Sequence, residues 1–184
     1  ALDWSKCYDN LLLDILGKAA ERAGIPLAIS RPMIAAYRQP RAVLLQGAVG
    51  PEKRPEAGLA PGCPRATDWL ALLIFMYTST LEAEVHNLRS RPYVDDITSV
   101  VMTADSFEAV EAVTHMVDHT TRFAKDLAFQ PNLTKSRRFA TQPAVRAALA
   151  ALPGPPVAPA FMDLGIVQTP TPSAAPMLGI KRFH

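Results

Sequence analysis

The most informative part of the sequence is residues 91–102, which read Arg-Pro-Tyr-Val-Asp-Asp-Ile-Thr-Ser-Val-Val-Met. Two runs rich in β-branched and aromatic residues flank an Asp-Asp pair, a pattern typical of a β-hairpin with Asp95 and Asp96 at its tip. Because an isolated hairpin is marginally stable in water, other elements must cover one of its faces.

Elements of the expected type lie on both sides of the hairpin. Apolar residues at helical spacing predict helices at about 5–23, 31–37, 67–88, 107–127 (capped by Asp105 or Ser106) and 143–152. Strands are predicted at 1–4, 41–46, 133–141, 164–168 and 177–182, and a loop at 47–64. This order predicts an α+β fold, a split β-α-β-β-α-β antiparallel sheet with helices on one face.

Composition excludes several classes of protein. With 184 residues, of which 49% are hydrophobic and 20% charged, the chain can form one domain with its own core and is too apolar to be disordered. The chain has two cysteines, Cys7 and Cys63, which are too few for a disulfide scaffold. It has no Cys-x-x-Cys pair, which excludes a zinc ribbon. The longest apolar run, 69–77, is far shorter than the roughly 20 residues of a membrane-spanning helix. We expect no signal peptide and no membrane partner, and a chain that is a piece of a longer protein.

Charge and proline are unevenly distributed. Residues 1–120 contain 11 Lys/Arg and 15 Asp/Glu, whereas residues 121–184 contain 8 Lys/Arg and 2 Asp/Glu. This division suits a polyanionic partner handled through metal ions, but ordinary fluctuation of charge along a chain is the better explanation of this feature alone. Eight of the 17 prolines lie between Pro143 and Pro176, which predicts a Pro-rich connector over 141–184.

Three aspartates are expected to meet at one edge of the sheet. Asp3 ends the first strand and Asp95 and Asp96 form the hairpin tip, and the first strand of a split sheet lies beside the hairpin. Carboxylates gathered in this way repel one another unless a cation lies among them, and Mg²⁺ prefers such oxygen ligands. The alternatives are that the Asp-Asp pair is ordinary turn chemistry and that Asp3 caps the following helix.

Four short motifs resemble those of the reverse transcriptases, in particular the group-II-intron and non-LTR retrotransposon branch. Residues 2–9 (Leu-Asp-Trp-Ser-Lys-Cys-Tyr-Asp) resemble the first palm motif, residues 58–64 (Gly-Leu-Ala-Pro-Gly-Cys-Pro) the second, residues 93–96 the Tyr-x-Asp-Asp box, and residues 132–136 (Asn-Leu-Thr-Lys-Ser) the fourth. Leu164-Gly165 or Leu178-Gly179 resembles the Leu-Gly of the primer grip. The likeness covers residues 1–140 and, more faintly, 160–182.

The resemblance implies an RNA-directed DNA polymerase that adds dNTPs to a DNA primer on an RNA template, using two Mg²⁺ ions, with Mn²⁺ as the alternative. Asp3 and Asp95 would hold the ions, Asp96 would assist, and the backbone carbonyl of Trp4 would add an oxygen. Residues 1–140 would form the palm, and 141–184 a connector with primer-grip-like strands. The fingers and thumb would lie outside this chain. A retroelement protein of this kind would act inside the cell, and the nucleus is one compartment open to it.

The resemblance also implies roles around the nucleotide. Tyr8 would be the aromatic gate under the sugar, Gly62 would let the backbone approach the template or the incoming base, and Lys135 would neutralise the triphosphate or protonate the leaving pyrophosphate. Arg137 and Arg138 would favour a nucleic-acid backbone. The alternatives are that Tyr8 is a partly buried ring and that the basic cluster at 135–138 is a solvated strand end.

Some residues depart from the family pattern. Pro61 replaces the glutamine of the second motif, and residues 65–68 (Arg-Ala-Thr-Asp) replace Leu-Ser-Pro. These departures keep open a second function, a non-catalytic nucleic-acid-binding remnant with the palm fold. A small-molecule enzyme has little support, because no phosphate-binding glycine loop is present and the His115/His119 pair lacks the glutamate of a zinc protease.

Overall fold

A computed structural model describes residues 1–60, 62–159, 161–163 and 166–168, the last two segments as backbone. The described residues form a mixed α/β fold of the α+β type. Its helices are α1 (Cys7–Asn10), α2 (Leu13–Arg22), α3 (Leu27–Tyr37), α4 (Ala66–Glu84), α5 (Ser106–Leu127) and α6 (Pro143–Ala150). Its strands are β1 (Leu44–Leu45), β2 (Ala48–Val49), β3 (Leu88–Tyr93), β4 (Asp96–Val101), β5 (Phe161–Asp163) and β6 (Ile166–Gln168). They pair as antiparallel β1-β2, β3-β4 and β5-β6.

The central hairpin is confirmed. β3 and β4 pair in a continuous antiparallel register from Leu88 opposite Val101 to Tyr93 opposite Asp96, which leaves Val94 and Asp95 as the two-residue turn. The β-branched residues of β4 favour the pleated conformation, and alternate positions face the core, with Ile97 only 2% exposed. The Asp-Asp pair therefore lies at the tip, as its sequence predicted.

The first residues of the chain lie beside this hairpin. Leu2 and Ile97 exchange both backbone hydrogen bonds, at 2.8 and 3.0 Å. On its other side the same segment bonds residues 130–137, with an antiparallel bridge from Trp4 to Pro131 and a bond from the Arg137 amide to the Ala1 carbonyl. Residues 1–4 are thus flanked by β4 and by residues 130–137, although neither flanking contact extends into a regular ladder.

The predicted strand over 133–141 was wrong. Residues 133–135 form a turn, closed by bonds from the Lys135 and Ser136 amides to the Asn132 carbonyl, and the segment has isolated bridges instead of a strand. The turn forms because the Asn-Leu-Thr sequence is polar at both ends, and the Thr134 hydroxyl donates to the Asn132 side chain at 2.7 Å.

The predicted helix over 5–23 was also wrong in its continuity. It is broken at Leu11 and Leu12, both in extended conformation, so that α1 and α2 are separate helices. Residues 56–59 occupy the break: the Gly58 amide donates to the Leu11 carbonyl, and the Leu13 amide donates to the Glu56 carbonyl. The tertiary contacts of this segment satisfy backbone groups that the helix would otherwise have bonded internally.

Other boundaries differ by several residues. Helix α3 begins four residues earlier than predicted, after Pro26, and α4 ends at Glu84 because residue 88 begins β3. In place of the strand predicted at 41–46 the chain forms the exposed hairpin β1-β2, in which each strand has two residues. This hairpin also occupies part of the predicted loop. Of the strand predicted at 164–168, residues 166–168 form β6, whereas the one at 177–182 lies outside the described residues.

An aromatic cluster joins the start of the chain to α4 and α5. The Trp4 ring is 2% exposed and lies edge-on to Tyr77, with centroids 6.1 Å apart, and it contacts Phe129 at 5.6 Å. Tyr77 in turn packs on Phe123 at 4.9 Å. Burial of such large rings contributes several kcal/mol, on the order of 1.5–3 kcal/mol for each side chain. The cluster therefore fixes Trp4, and with it the adjacent Asp3.

Candidate active site

Asp3 is held in place through its backbone. Its amide donates to the Ser136 hydroxyl at 3.1 Å, and its carbonyl accepts from the Asn132 amide at 2.8 Å. Its side chain is only 17% exposed. The Oδ2 atom of that side chain is buried and has no hydrogen-bond partner among the described residues. A buried carboxylate oxygen without a donor is unfavourable, so this oxygen is suited to a ligand that supplies positive charge.

The register places Asp3 towards the hairpin tip. Since Leu2 pairs with Ile97 in an antiparallel sense, the next residue along the chain, Asp3, runs towards Asp96, the residue before Ile97. Residues paired in this way have Cα atoms about 5 Å apart. Asp95 is half-buried in the turn and Asp96 is exposed at the first position of β4.

The Cys7 thiol is influenced by two of these carboxylates. Its pKa is raised to about 12, first by burial and then by the negative charges of Asp95 and, more weakly, of Asp3. The bridge from Leu2 to Ile97 brings the backbone of residue 3 beside the hairpin, and the meeting of the three carboxylates stays a prediction.

Lys135 lies at the same edge. Its Nζ is 3.9 Å from Oδ1 of Asp3, and its side chain is 70% exposed. The turn over 132–136 that replaces the predicted strand brings this exposed ammonium to Asp3. The site thus combines carboxylates with one exposed cation.

The tip of the hairpin has a strained backbone. Val94 has φ of 56°, in the left-handed region that β-branched residues rarely adopt. Strain of this kind costs about 1–3 kcal/mol and tends to persist at functional sites. It sets the direction in which the neighbouring Asp95 leaves the turn.

The second motif, residues 58–64, contacts the first motif, residues 2–9. The Leu59 amide donates to the Tyr8 carbonyl at 2.9 Å, and a Cβ at Gly58, whose φ is 90°, would lie 3.1 Å from the Asp9 carbonyl. Only glycine therefore fits at position 58. The Tyr8 ring is half-buried and packs against the core, and Gly62, with φ of 78°, is exposed with open space beside it. Pro61 lies outside the described residues.

Arg137 and Arg138 differ from each other in their surroundings. Arg138 is 8% exposed, and its guanidinium donates to the carbonyls of Leu152, Pro153 and Pro155 at 2.6–3.1 Å. Burial lowers its pKa. It holds the chain after α6 in place, and the nucleic-acid contact that the resemblance implied for Arg138 stays a prediction. Arg137 is half-buried and donates one bond, to the Ser136 carbonyl at 2.7 Å.

Magnesium suits the oxygen donors at this edge. Within the described residues no group of three or more His, Cys, Asp or Glu side chains is placed to hold a metal ion. Mg²⁺ does not need three, because proteins usually hold it through one or two carboxylates together with waters and substrate phosphates. Asp3, with its unpartnered buried oxygen, and Asp95 are the residues that would hold it.

Two features were missed by sequence reasoning. Ser136 is completely buried and bonds the Asp3 backbone, and only its place in the 132–136 motif hinted at a role. The second feature is a cluster around Glu84, whose Oε2 accepts from His115 at 2.8 Å and from His119 at 3.0 Å and lies 3.5 Å from Arg122. The histidine spacing was visible in sequence, but the carboxylate comes from another helix.

Comparison with known protein families finds no family that matches the sequence, and no curated protein matches it either. None of the helices in the part of the chain that the structure describes has both the length and the apolar character needed to cross a bilayer.

Proposed function

We propose that this chain is the palm of a reverse transcriptase and that it transfers nucleotides from dNTPs to the 3′-hydroxyl of a primer on an RNA template. The observation that carries the proposal is the pairing of Leu2 with Ile97, which brings Asp3 to the tip of the hairpin that presents Asp95 and Asp96. The order of the flanking segments agrees with a split β-α-β-β-α-β palm: residues 130–137, residues 1–4, β4 and β3.

The protein groups divide the work of phosphoryl transfer. Asp3 and Asp95 would hold divalent ions here, which supply charge stabilisation for phosphoryl transfer when bound. The bonds with Ser136 and Asn132 keep Asp3 in position. Lys135, exposed and close to Asp3, neutralises the triphosphate or gives a proton to the pyrophosphate. Tyr8, which lies on helix α1 shortly after Asp3, closes the pocket for the sugar.

Primer extension tests the proposal. The assay uses an RNA template, dNTPs and Mg²⁺, with the longest form of the protein that contains this chain. Asp95→Asn should lower the rate by at least about a thousandfold, because the carboxylate holds the ions that stabilise the transition state. The matched control is Asp126→Asn, an exposed aspartate in the last turn of α5. An unchanged rate in Asp95→Asn would contradict the mechanism.

Metal binding gives a second measurement on the chain alone. Titration with Mn²⁺, followed by electron paramagnetic resonance, should show a site that Asp3→Asn and Asp95→Asn each weaken and that Asp126→Asn leaves unchanged. Equal Mn²⁺ binding in all three variants would remove the basis for a metal-dependent reaction, whatever the activity of the longer protein.

The second candidate function is a nucleic-acid-binding module that keeps the palm shape without catalysis. The observation in its favour is the exposed Lys135 within a segment, 121–184, whose formal charge is +6. This module would bind RNA or DNA with strong salt dependence and without divalent ions. Binding that disappears on metal chelation would count against it.

A further inference from the structure

A cavity lies against the first two residues of the chain. Its volume is about 480 Å³, and it lies between β4, α5, α6 and the segment 137–142. Ligand pockets in proteins commonly measure about 300–1,000 Å³, so this space could enclose a small organic molecule. Leu2 and Ile97, which separate the cavity from the proposed site, form part of its wall.

The wall of the cavity is apolar. Val113 and Val117 of α5 line it from one side and Leu133 and Phe139 from the other. These valines belong to the stripe that amphipathic spacing would place against the sheet, yet both remain partly exposed. Helix α5 therefore leaves an apolar space instead of closing onto β4.

The hydroxyls in the wall add little polarity. Thr114 donates to the Val110 carbonyl and Thr121 to the Val117 carbonyl, each at 2.8 Å within α5. Because these donors are already satisfied, they offer little to bound water, and an apolar ligand would not displace strongly held solvent.

Arg137 has the most donors left among the charged side chains of the wall. It lines the cavity and donates a single bond from one of its five N–H groups, and no ion pair engages it within the described residues. The other charged side chains in the wall are Arg138, three of whose five N–H groups donate to carbonyls, and Asp118, which is exposed on α5. The positive charges outnumber the negative one, so the cavity favours an anion.

We propose that the cavity binds a small organic anion with an apolar body, its carboxylate or sulfonate held by Arg137 and its body packed against Val113, Val117 and Phe139. The proposal does not depend on the polymerase function, although Arg137 also belongs to the basic segment to which the resemblance assigns nucleic-acid contacts.

Two fluorescent probes of similar ring structure test the proposal on the chain itself. One is 8-anilinonaphthalene-1-sulfonate, which is anionic, and the other is N-phenyl-1-naphthylamine, which is uncharged. Arg137→Gln should weaken the anionic probe about tenfold, as expected for the loss of one charge-assisted hydrogen bond, and leave the uncharged probe within twofold. Arg22→Gln, at the exposed end of α2, is the matched control and should change neither.

A second experiment fills the cavity with a larger side chain. Val113→Phe should weaken both probes about tenfold, whereas Val49→Phe, in the exposed hairpin β1-β2, should weaken neither. Near-ultraviolet circular dichroism checks that each variant is folded. If Val113→Phe does not fold, Arg137→Gln with the two probes still decides the question. Equal loss of both probes in Arg137→Gln, or unchanged binding in a folded Val113→Phe, would overturn the proposal.

Discussion

At the scale of single residues, the hairpin tip combines chemistry with strain. Asp95 is useful only if the turn presents it towards Asp3, and the turn achieves this with Val94 at φ of 56°. Glycine adopts this conformation without a steric penalty, although it also gains entropy in the unfolded chain. Val94 is also half-buried and packs against the core, which favours valine. We take the strain to be the larger effect, since it costs about 1–3 kcal/mol.

We therefore expect Val94→Gly to increase the free energy of unfolding by about 0.5–1 kcal/mol, since relief of strain exceeds the added entropy of glycine. Urea denaturation followed by circular dichroism measures the change. The control is Val100→Gly, on β4 with ordinary φ, which should lose stability because glycine weakens a strand. If both variants lose stability to the same degree, Val94 is not strained.

At the scale of elements, the sequence predicted the structures that depend on neighbouring residues and missed those that depend on distant contacts. The hairpin was predictable because β-branched runs and a turn act within 14 residues, and α5 was predictable from its spacing and its cap, Asp105, whose side chain accepts from the Phe107 and Glu108 amides. The break between α1 and α2 was not, because it depends on residues 56–59 arriving from far along the chain. The candidate site was likewise only partly predictable. Its carboxylates were visible in sequence, but the burial of Ser136 was not.

The contact between α4 and α5 depends on pH through Glu84. Hydrogen bonds from His115 and His119, together with the charge of Arg122, lower the pKa of the Glu84 carboxyl from its ordinary value of 4.5. A lowered pKa means that the folded state favours the carboxylate. Its contribution to stability is therefore present above about pH 4.5 and is lost as the pH falls through the folded-state pKa.

Replacement of Glu84 should reproduce that dependence. We expect Glu84→Gln to lower the free energy of unfolding at pH 6 by about 0.5 kcal/mol, because partly exposed ion pairs are screened by solvent. The difference from the unmodified protein should shrink as the pH falls below 4.5. Glu21→Gln, exposed near the end of α2, serves as the control. A difference that grows towards low pH would show that the glutamate does not act as a bonded carboxylate.

At the scale of the whole molecule, the acidic and basic halves of the sequence meet at the candidate site. Asp3 belongs to the half with net charge −4 and Lys135 to the half with net charge +6, yet they are neighbours in the fold. A nucleic acid bound here would contact cations on the 130–137 side and reach the carboxylates only where metal ions offset their charge. This arrangement fits both proposed functions, so it is the salt and metal dependence of binding that separates them.

Binding of a labelled single-stranded RNA, measured by fluorescence anisotropy from 50 to 300 mM salt, should follow a linear plot of log K against log salt. Lys135→Gln should reduce its slope by about 0.7, the value for one lost phosphate contact on a single strand. Lys18→Gln, exposed on α2 in the acidic half, should leave the slope unchanged. Equal slopes in all three proteins would place the nucleic acid elsewhere. If EDTA leaves the affinity unchanged while Lys135→Gln lowers the slope, the chain binds nucleic acid without metal, as the non-catalytic function requires.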